Sequence, residues 1–476
     1  MHELAKRGHD VIIVTPQPAF SKGTAPENLT EIDIYDIGAS FKRKLVSNRT
    51  GNKKDSLPEI RKVVEITVEI MDLVFESPNV MKLLKSKDRI DLIILEGYVR
   101  SALALSHVFK APVILASSFG TIPYTNSKLG GPTHSWIYPY MFQQKLYNLS
   151  LMDKIKSLMM YKEMDDIMDS VEDSESNVIR KYFGEGLPNI KQLEKNVQMM
   201  FVNYHPLWAN NQPLPTNMQF IGGVHKTLDE PLTQDLQNYL DSSQNGVIYV
   251  SFGTNVNPSG LPNEGMNKIM NVLSKIPYDV LFKWDSDKIP EEFPNIKFAK
   301  WLPQSTLLKH PQVKVFITQG GLQSSVEGMN AGVPLIGFPI YADQFYNAEK
   351  YAHYKIGFNL DFLSFTEEEL KNAIDKAIND TSYKRNIENF GAYMKDLPIQ
   401  PLDKVVWWAE HITQHGGAHL QPLSAHLSWT EYFEIHLIVT VFIVLVVFIV
   451  IVVAVLRYFC AMLYGMFCGK LNKKNL

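Results

Sequence analysis

Residues 301–344 read WLPQSTLLKHPQVKVFITQGGLQSSVEGMNAGVPLIGFPIYADQ. Val313–Thr318 is a short apolar run with β-branched residues, the composition of a strand buried on both faces. It ends at Gln319, Gly320 and Gly321, after which LQSSVEGM has the pattern of a helix. Residues 334–337 (PLIG) then give a second short apolar run. Strand, glycine turn, helix and strand in that order form the repeating unit of a parallel sheet covered by helices.

The same alternation extends in both directions. Val247–Ser251, Asp279–Lys283 and residues 297–299 read as strands before the quoted stretch. Val11–Thr15 and residues 92–95, 113–116 and 199–203 form an earlier set. Residues 57–84 read largely as helix, interrupted near Pro78. A methionine-rich helical stretch covers residues 153–181, either as a core-facing stripe or as a pliable apolar wall for a ligand. Between the two sets lies HPLWANNQPLPTNMQFIGGVHK, rich in Pro and Asn, which reads as an inter-lobe linker.

The expected fold is therefore α/β with two Rossmann-like lobes and a ligand cleft at the carboxyl ends of the strands. The expected boundaries are an N-terminal lobe over 1–205, a linker over 206–226 and a C-terminal lobe over 227–400. A closing helix and juxtamembrane segment follow over 401–434, then a transmembrane helix over 435–458 and a tail over 459–476.

Composition narrows the function classes. With 47 Lys+Arg against 50 Asp+Glu, the net charge of -3 supplies no general field for a phosphate backbone, which argues against nucleic acid as a partner. The two cysteines, Cys460 and Cys468, lie near the C-terminus, which excludes a disulfide scaffold, a thiolate zinc site or a cysteine nucleophile in the main body. His411, His415 and His419 fall at four-residue spacing, but Gly416 and Gly417 break the helix before the third, so no metal site is assigned.

The C-terminal region carries LIVTVFIVLVVFIVIVVAVL at 437–456, twenty residues without a charge. A helix of that length rises about 30 Å, the thickness of a bilayer's hydrocarbon core. Arg457, Lys470, Lys473 and Lys474 follow it, so the short basic tail is expected in the cytosol and the body on the other side. The ending KKNL places Lys473 and Lys474 where a dilysine signal for return to the endoplasmic reticulum stands, the alternative being simple positive-inside anchoring. Asn28, Asn48, Asn148 and Asn379 open glycosylation sequons, as expected of a lumenal body. At the other end, MHELAKRGHDVIIVTPQP has no signal-peptide pattern and opens on a helix rather than a strand, so the chain reads as starting one βα unit late.

Chemistry concentrates in the quoted stretch. Trp301, just past a strand, offers a ring for stacking on a planar base, and Gln304 a reach toward a ribose or base edge. Gln319, Gly320 and Gly321 precede a helix N-terminus, where backbone N–H groups and the helix dipole favour a pyrophosphate. Ser324 adds a hydroxyl, Glu327 suits a pair of ribose hydroxyls, and Asp343 with Gln344 suits an uncharged sugar. In this order the residues match the signature Trp-x-x-Gln, His-Gly-Gly, Ser-x-x-Glu, Gly-Val-Pro, Asp-Gln over 44 residues without a gap. The chain thus resembles the UDP-glycosyltransferases, with Gln319 where the family commonly has His, and FITQGGLQS resembles the insect branch. Within that resemblance, Ser251, Gly253 and Thr254 of VIYVSFGTN open the donor lobe near the phosphates.

The resemblance implies a GT-B architecture and inverting transfer of a hexose, expected to be glucose, from a UDP-sugar to a small lipophilic acceptor bearing a hydroxyl. It implies detoxification or hormone conjugation as the role, a UDP-sugar co-substrate with no metal or other cofactor, and membrane anchoring in the endoplasmic reticulum as a type I protein. Homo- or hetero-oligomers are compatible with it. It further implies a base His after the first strand and a carboxylate partner from a later strand end, here Glu96, where the family more often has Asp. His2, His9 and His107 do not match the base position. The alternative expectation is a truncated, non-catalytic membrane protein that binds UDP-sugar.

Overall fold

Strand formation follows the apolar runs. The computed structural model describes residues 1–21, 23–46, 56–86, 88–224, 230–289 and 293–472. In chain order its strands are β1 Val11–Thr15, β2 Leu29–Asp33, β3 Ile93–Glu96, β4 Val113–Ser117, β5 Val197–Val202 and β6 Met218–Phe220, then β7 Val247–Ser251, β8 Asp279–Lys283, β9 Ile296–Ala299, β10 Val313–Thr318, β11 Leu335–Gly337 and β12 Gly357–Asn359. Every pairing is parallel.

The C-terminal lobe holds one six-stranded sheet in the order β12-β11-β10-β7-β8-β9. Its central strands are buried along nearly their whole length because helices cover both faces, which is why they read as unbroken apolar runs. The strand order reverses between β7 and β10, so their carboxyl ends open the crevice at which this architecture binds ligands. The N-terminal lobe carries β3-β4-β5-β6 in one sheet and β1-β2 in another, with no hydrogen-bonded pairing between β1 and β3.

Three strands depart from the sequence expectation. β6 lies inside the 206–226 segment and pairs with β5, so that stretch is partly sheet edge rather than only linker. Three residues are too few to show a period. β12 is likewise three residues long and contains Gly and Asn, and β2 mixes Thr, Glu and Asp into an edge position.

The closing segment also divides differently. Residues 1–422 form one compact unit and 423–476 a second. Helix Pro401–His415 belongs to the first: Val406, Ala409 and Ile412 share a core with Leu4, Val11, Leu29, Ile114 and Phe201. In the second unit, helix Ile435–Asn472 runs past the expected end at 458, since no proline follows to stop it. Its stretch Ile435–Met466, which contains an 18-residue window of mean hydropathy 3.7, is long and apolar enough to cross a membrane. Asn48, Lys473 and Lys474, together with residues 225–226 of the expected linker, lie outside the described residues.

The methionine-rich segment forms helices Leu151–Ser170 and Glu172–Phe183, the first opened by a capping box of Ser150 and Asp153. A buried ion network fixes them to the sheet. Arg100, following β3, pairs with Glu175 and Glu194, and its Nη2 donates to the Met168 carbonyl at 2.7 Å. Tyr124 completes the network by donating to Glu194 at 2.9 Å. Removing one partner of such a cluster leaves an uncompensated buried charge. Arg100→Ala is expected to lower stability by about 3–5 kcal/mol, with Arg100→Lys falling between it and the parent. Chemical denaturation followed by tryptophan fluorescence checks this, and coincident curves for parent and Arg100→Ala would refute it.

Candidate functional site

A cleft of about 790 Å³ opens between the lobes at the carboxyl ends of β7 and β10. Of the sequence-singled residues, Glu96, Gly253, Thr254, Trp301, Gln304, Gln319, Gly321, Ser324, Glu327, Asp343 and Gln344 line it. Ser251 and Gly320 stand directly behind the lining. The Ser251 hydroxyl accepts from Gly253 N at 3.3 Å, and the Gly320 carbonyl accepts from Asn347 at 2.8 Å.

The donor-lobe wall is held by its own hydrogen bonds. Trp301 leaves β9 with 65% of its surface exposed, and Lys283 Nζ lies 4.5 Å from its ring centre. Gln304 is more committed than its expected reach to a ribose suggests. Its Oε1 accepts from Tyr249 at 3.0 Å, while its Nε2 donates to Ser324 Oγ at 3.0 Å and Glu327 Oε2 at 2.6 Å. Gln304 thus sets the hydroxyl and carboxylate in place. Burial raises the Glu327 carboxyl above its ordinary range, against the Gln304 hydrogen bond.

Gly253 (φ +73°) and Gly320 (φ +86°) occupy left-handed backbone that favours glycine. A Cβ on Gly253 would overlap the amide nitrogen of Gln319, so the two loops touch through that side chain. Gln319 Oε1 accepts from Thr318 at 3.0 Å. Gly321 then opens helix Leu322–Ala331 with no capping side chain. One first-turn N–H, that of Leu322, goes to Asp343 Oδ2 at 3.3 Å.

Asp343 is buried, and burial pushes its carboxyl up to about 6 against hydrogen bonds from Asn347 and Leu322. Gln344 Oε1 accepts from Ile340 N at 2.9 Å and Tyr341 N at 3.0 Å. That locks the turn in which Ala342 sits at φ +55°, a strained position for a residue with a side chain.

The opposite wall is mostly apolar: Ile37, Phe41, Val64, Met71, Met141 and Phe142 all line it. Met164 and Met168 are buried core residues and also reach the cleft, so the methionine stripe serves both roles left open by the sequence. Polar side chains interrupt it at Glu59, Thr67, Ser118 and Gln144 and at Glu96, which ends β3. Glu96 Oε2 accepts from Ser118 Oγ at 2.6 Å and its Oε1 from Gly97 N at 3.2 Å and Ser118 N at 3.3 Å. Its side chain is exposed to the cleft, and the protein around it still raises its pKa despite those bonds.

No histidine lines the cleft among the described residues. His2 lies 3.3 Å from Glu31 and His9 3.0 Å from Glu410, while His107 belongs to helix Ala104–Phe109. The Nε2 atoms of His411 and His419 approach to 3.1 Å, and His411 stacks on Trp407. Among the described residues no group of three or more His, Cys, Asp or Glu is placed to hold a metal ion. Of the sequons, Asn148 and Asn379 are exposed. The Asn28 amide instead donates to the carbonyls of Ala5 at 2.6 Å and His9 at 3.1 Å, which ties it into the N-terminal turn.

Two groups escaped the sequence reading. Lys283, the last residue of β8, donates to the Gly253 carbonyl at 3.2 Å, and burial lowers its pKa. Asn347, one helical turn past Asp343, donates from Nδ2 to Gly320 O and to Asp343 Oδ2 at 2.9 Å, and accepts from Trp208 Nε1 at 2.8 Å. Trp208 lies in the segment between the lobes and is fully buried. Beside it, Lys350 donates to the Trp208 carbonyl and to Asn210 Oδ1, with burial holding its pKa well below that of a free lysine. Its Nζ also lies 4.5 Å from the Tyr346 ring centre.

Comparisons with known proteins bear on the family and the fold. The family model described as "UDP-glucoronosyl and UDP-glucosyl transferase" matches residues 1–474. An ecdysteroid UDP-glucosyltransferase of Spodoptera littoralis nuclear polyhedrosis virus is 33% identical over 463 residues, covering 93% of this chain and 90% of that protein. The UDP-glycosyltransferase UGT5 of Dactylopius coccus is 29% identical over 476 residues, covering 97% and 89%. Among solved structures, Os79 from O. sativa in complex with UDP superposes with a TM-score of 0.56 at 13% identity, covering 86% of this chain and 95% of that one. A glycotransferase of kitacinnamycin gives 0.53 at 16% identity, covering 87% and 92%. The fold is that of the GT-B glycosyltransferases, a UDP-sugar is the co-substrate of this family, and the chain belongs to the UDP-glucuronosyl and UDP-glucosyl transferases.

Proposed function

We propose that the chain transfers glucose from UDP-glucose to a small lipophilic acceptor bearing a hydroxyl, such as a steroid or a comparable apolar metabolite, in detoxification or hormone conjugation. The observation that carries this reading is the polarity of the cleft. One wall is mostly apolar, with the carboxylates Glu59 and, at a strand end, Glu96, and the other holds a glycine-rich helix N-terminus, a stacking tryptophan and a buried Asp-Gln pair. Trp301 stacks on uracil, Glu327 takes the ribose hydroxyls, and Gly320 to Ser324 receive the pyrophosphate. Asp343 and Gln344 hold the sugar hydroxyls. An uncharged hexose suits Asp343 better than a glucuronate would, since two carboxylates there would repel. The names of the viral relatives favour glucose and a steroid-like acceptor.

Glu96 is the acceptor-side carboxylate in this reading. Its raised pKa makes it a stronger base than a free carboxylate, and Ser118 and Gly97 fix its position. Helix Ile435–Asn472 anchors the chain in the endoplasmic-reticulum membrane with the body in the lumen. Lys473 and Lys474 serve as a retrieval signal, and Asn148 and Asn379 are the accessible glycosylation sites. A second reading, UDP-sugar binding without turnover, is favoured by the absence of a cleft histidine among the described residues. Calorimetric binding of UDP together with a transfer assay using UDP-glucose and a hydroxysteroid separates the two. Binding with transfer supports the first reading, binding alone the second, and no UDP binding removes both.

Where transfer occurs, Glu96→Gln is expected to lower kcat at least tenfold with the KM for UDP-glucose nearly unchanged; an unaltered kcat would remove Glu96 from the mechanism. Asp343 ionises at about 6, so the KM for UDP-glucose should rise as pH falls through that value and the carboxylate is lost as an acceptor. Asp343→Asn should show a raised KM without that step, which a pH series of initial rates measures. Trp208→Phe removes the N–H bonded to Asn347 and leaves a buried acceptor unpaired, at a cost of about 1–3 kcal/mol. The expected kinetic effect is a KM for UDP-glucose raised several-fold, with kcat changed less; identical kinetics would show that the link does not position the donor site.

A further inference from the structure

We propose that Tyr147 and His353 form a strut between the lobes, holding the two walls of the cleft at the spacing that transfer requires. The inference rests on the reading of the cleft as a transfer site and goes beyond it, since it assigns a positioning role to two residues outside the cleft lining.

One half of the strut belongs to the donor wall. Helix Gln344–His353 starts at the Asp343–Gln344 turn in the cleft and runs to His353 with neither proline nor glycine. Nine residues of rise place His353 about 14 Å along the helix from Gln344. On the way, Tyr346, Asn347 and Lys350 reach Tyr204, Trp208 and Asn210, in the stretch where the chain passes between the lobes. His353 is exposed and makes its contact with a different segment.

The other half is a loop of the opposite wall. Met141, Phe142 and Gln144 line the cleft, and Tyr147 stands three residues beyond Gln144. This loop is pinned to its own lobe. Gln143 Nε2 donates to Ser157 Oγ at 3.0 Å and to the Lys145 carbonyl at 3.1 Å. Lys145 pairs at 2.7 Å with Asp153, a member of the capping box of helix Leu151–Ser170. Leu146 is buried, and the hydroxyl of Tyr98, two residues past Glu96, donates to Met141 Sδ at 3.7 Å. Tyr147 thus moves with the wall that carries Glu96.

Between these halves the rings meet face to face. The ring centres of Tyr147 and His353 lie 3.6 Å apart with their planes 4° from parallel, and Tyr354 stands edge-on to His353 at 5.0 Å. Carbon atoms about 3.5–4.0 Å apart sit at the minimum of their dispersion attraction. Closer approach is repulsive and separation forfeits the contact, so the pair resists both closing and opening of the lobes. Because it joins a pinned loop to an unbroken helix, it fixes the spacing of the walls rather than one side chain.

The consequence falls on the chemical step. The residues read as holding the UDP-sugar all belong to the C-terminal lobe, so donor binding is indifferent to this spacing. An acceptor hydroxyl held from the N-terminal wall meets the sugar across the cleft, where a misplacement of about 1 Å lowers the rate steeply.

The test uses the full chain in detergent micelles. His353→Ala and Tyr147→Ala should each lower kcat about two- to tenfold, the factor one aromatic pair is worth, with the KM for UDP-glucose unchanged. The double variant should be no slower than the slower single variant, since both remove one contact. His353→Phe should restore kcat. Lobe spacing is read by pulsed electron resonance between spin labels at Glu185→Cys and Lys371→Cys in a Cys460→Ser, Cys468→Ser background. The distance distribution is expected to broaden in His353→Ala and to narrow again in His353→Phe.

Parental kcat in His353→Ala overturns the proposal. A lowered kcat with the parental distance distribution also overturns it, since the effect would then be local. Should Tyr147→Ala not fold, His353→Ala and His353→Phe decide alone, because His353 is exposed. Failure of the transfer reading shows separately, as a parent chain that binds UDP in calorimetry without turnover. The label distances then decide: broadening in His353→Ala upholds the strut, and an unchanged distribution overturns it.

Discussion

The carboxamide of Asn347 has one acceptor and two donors, and the protein uses all three on groups that must not move independently. Its oxygen takes the indole N–H of Trp208 from the segment between the lobes, and its nitrogen reaches the Gly320 carbonyl and the Asp343 carboxylate. Gly320 belongs to the loop that opens the helix N-terminus, and Asp343 stands at the start of helix Gln344–His353 while lining the cleft. A displacement of the inter-lobe segment therefore reaches two parts of the donor wall through one side chain. Around it, the Trp208 carbonyl accepts from Lys350 and from Tyr346, and Tyr204 stacks on Tyr346 with ring centres 6.0 Å apart. In such dry surroundings an unmet polar group is costly, which makes the junction rigid rather than merely filled.

The two walls solve different physical problems. In the proposed function a nucleotide sugar brings charge and many hydroxyls, to be met by backbone N–H groups at a helix start and by amides and carboxylates already bonded to one another. The N-terminal wall presents mostly aliphatic, aromatic and methionine side chains around the strand-end carboxylate Glu96, whose proton affinity is raised. The three raised carboxyls of the cleft, Glu96, Glu327 and Asp343, owe their shift first to loss of solvent around them.

Much of this was legible in the sequence where the signal is local. β7, β8 and β10 were readable to the residue because strands covered on both faces leave uninterrupted apolar runs. The 301–344 stretch was readable because its parts are consecutive and fall along one wall. β6 and β12, three residues each, leave no period to detect. Asn347 and Trp208 were illegible for another reason. They lie 139 positions apart, and each by itself looks like an ordinary helix or loop residue. Gln304 was singled out for reaching a ligand, and the geometry gives it the further task of holding Ser324 and Glu327. The Asn28 sequon shows the limit of a three-letter pattern, since its amide is already spent on two carbonyls.

The core shared by the first and last parts of the body has a consequence for how the protein is made. Leu4, Val11 and Leu29 pack with Val406, Ala409 and Ile412, and Arg7 pairs with Asp403 across 396 positions of chain. During synthesis at about 5–20 residues per second, the N-terminal segment waits roughly 20 to 80 s for its partner helix to emerge. Through that interval the apolar faces of β1 and of the β4–β5 pair have no cover from helix Pro401–His415. The polypeptide therefore passes through a long-lived state with part of its core open, and its yield in a cell depends on what shields that surface until the final helix arrives.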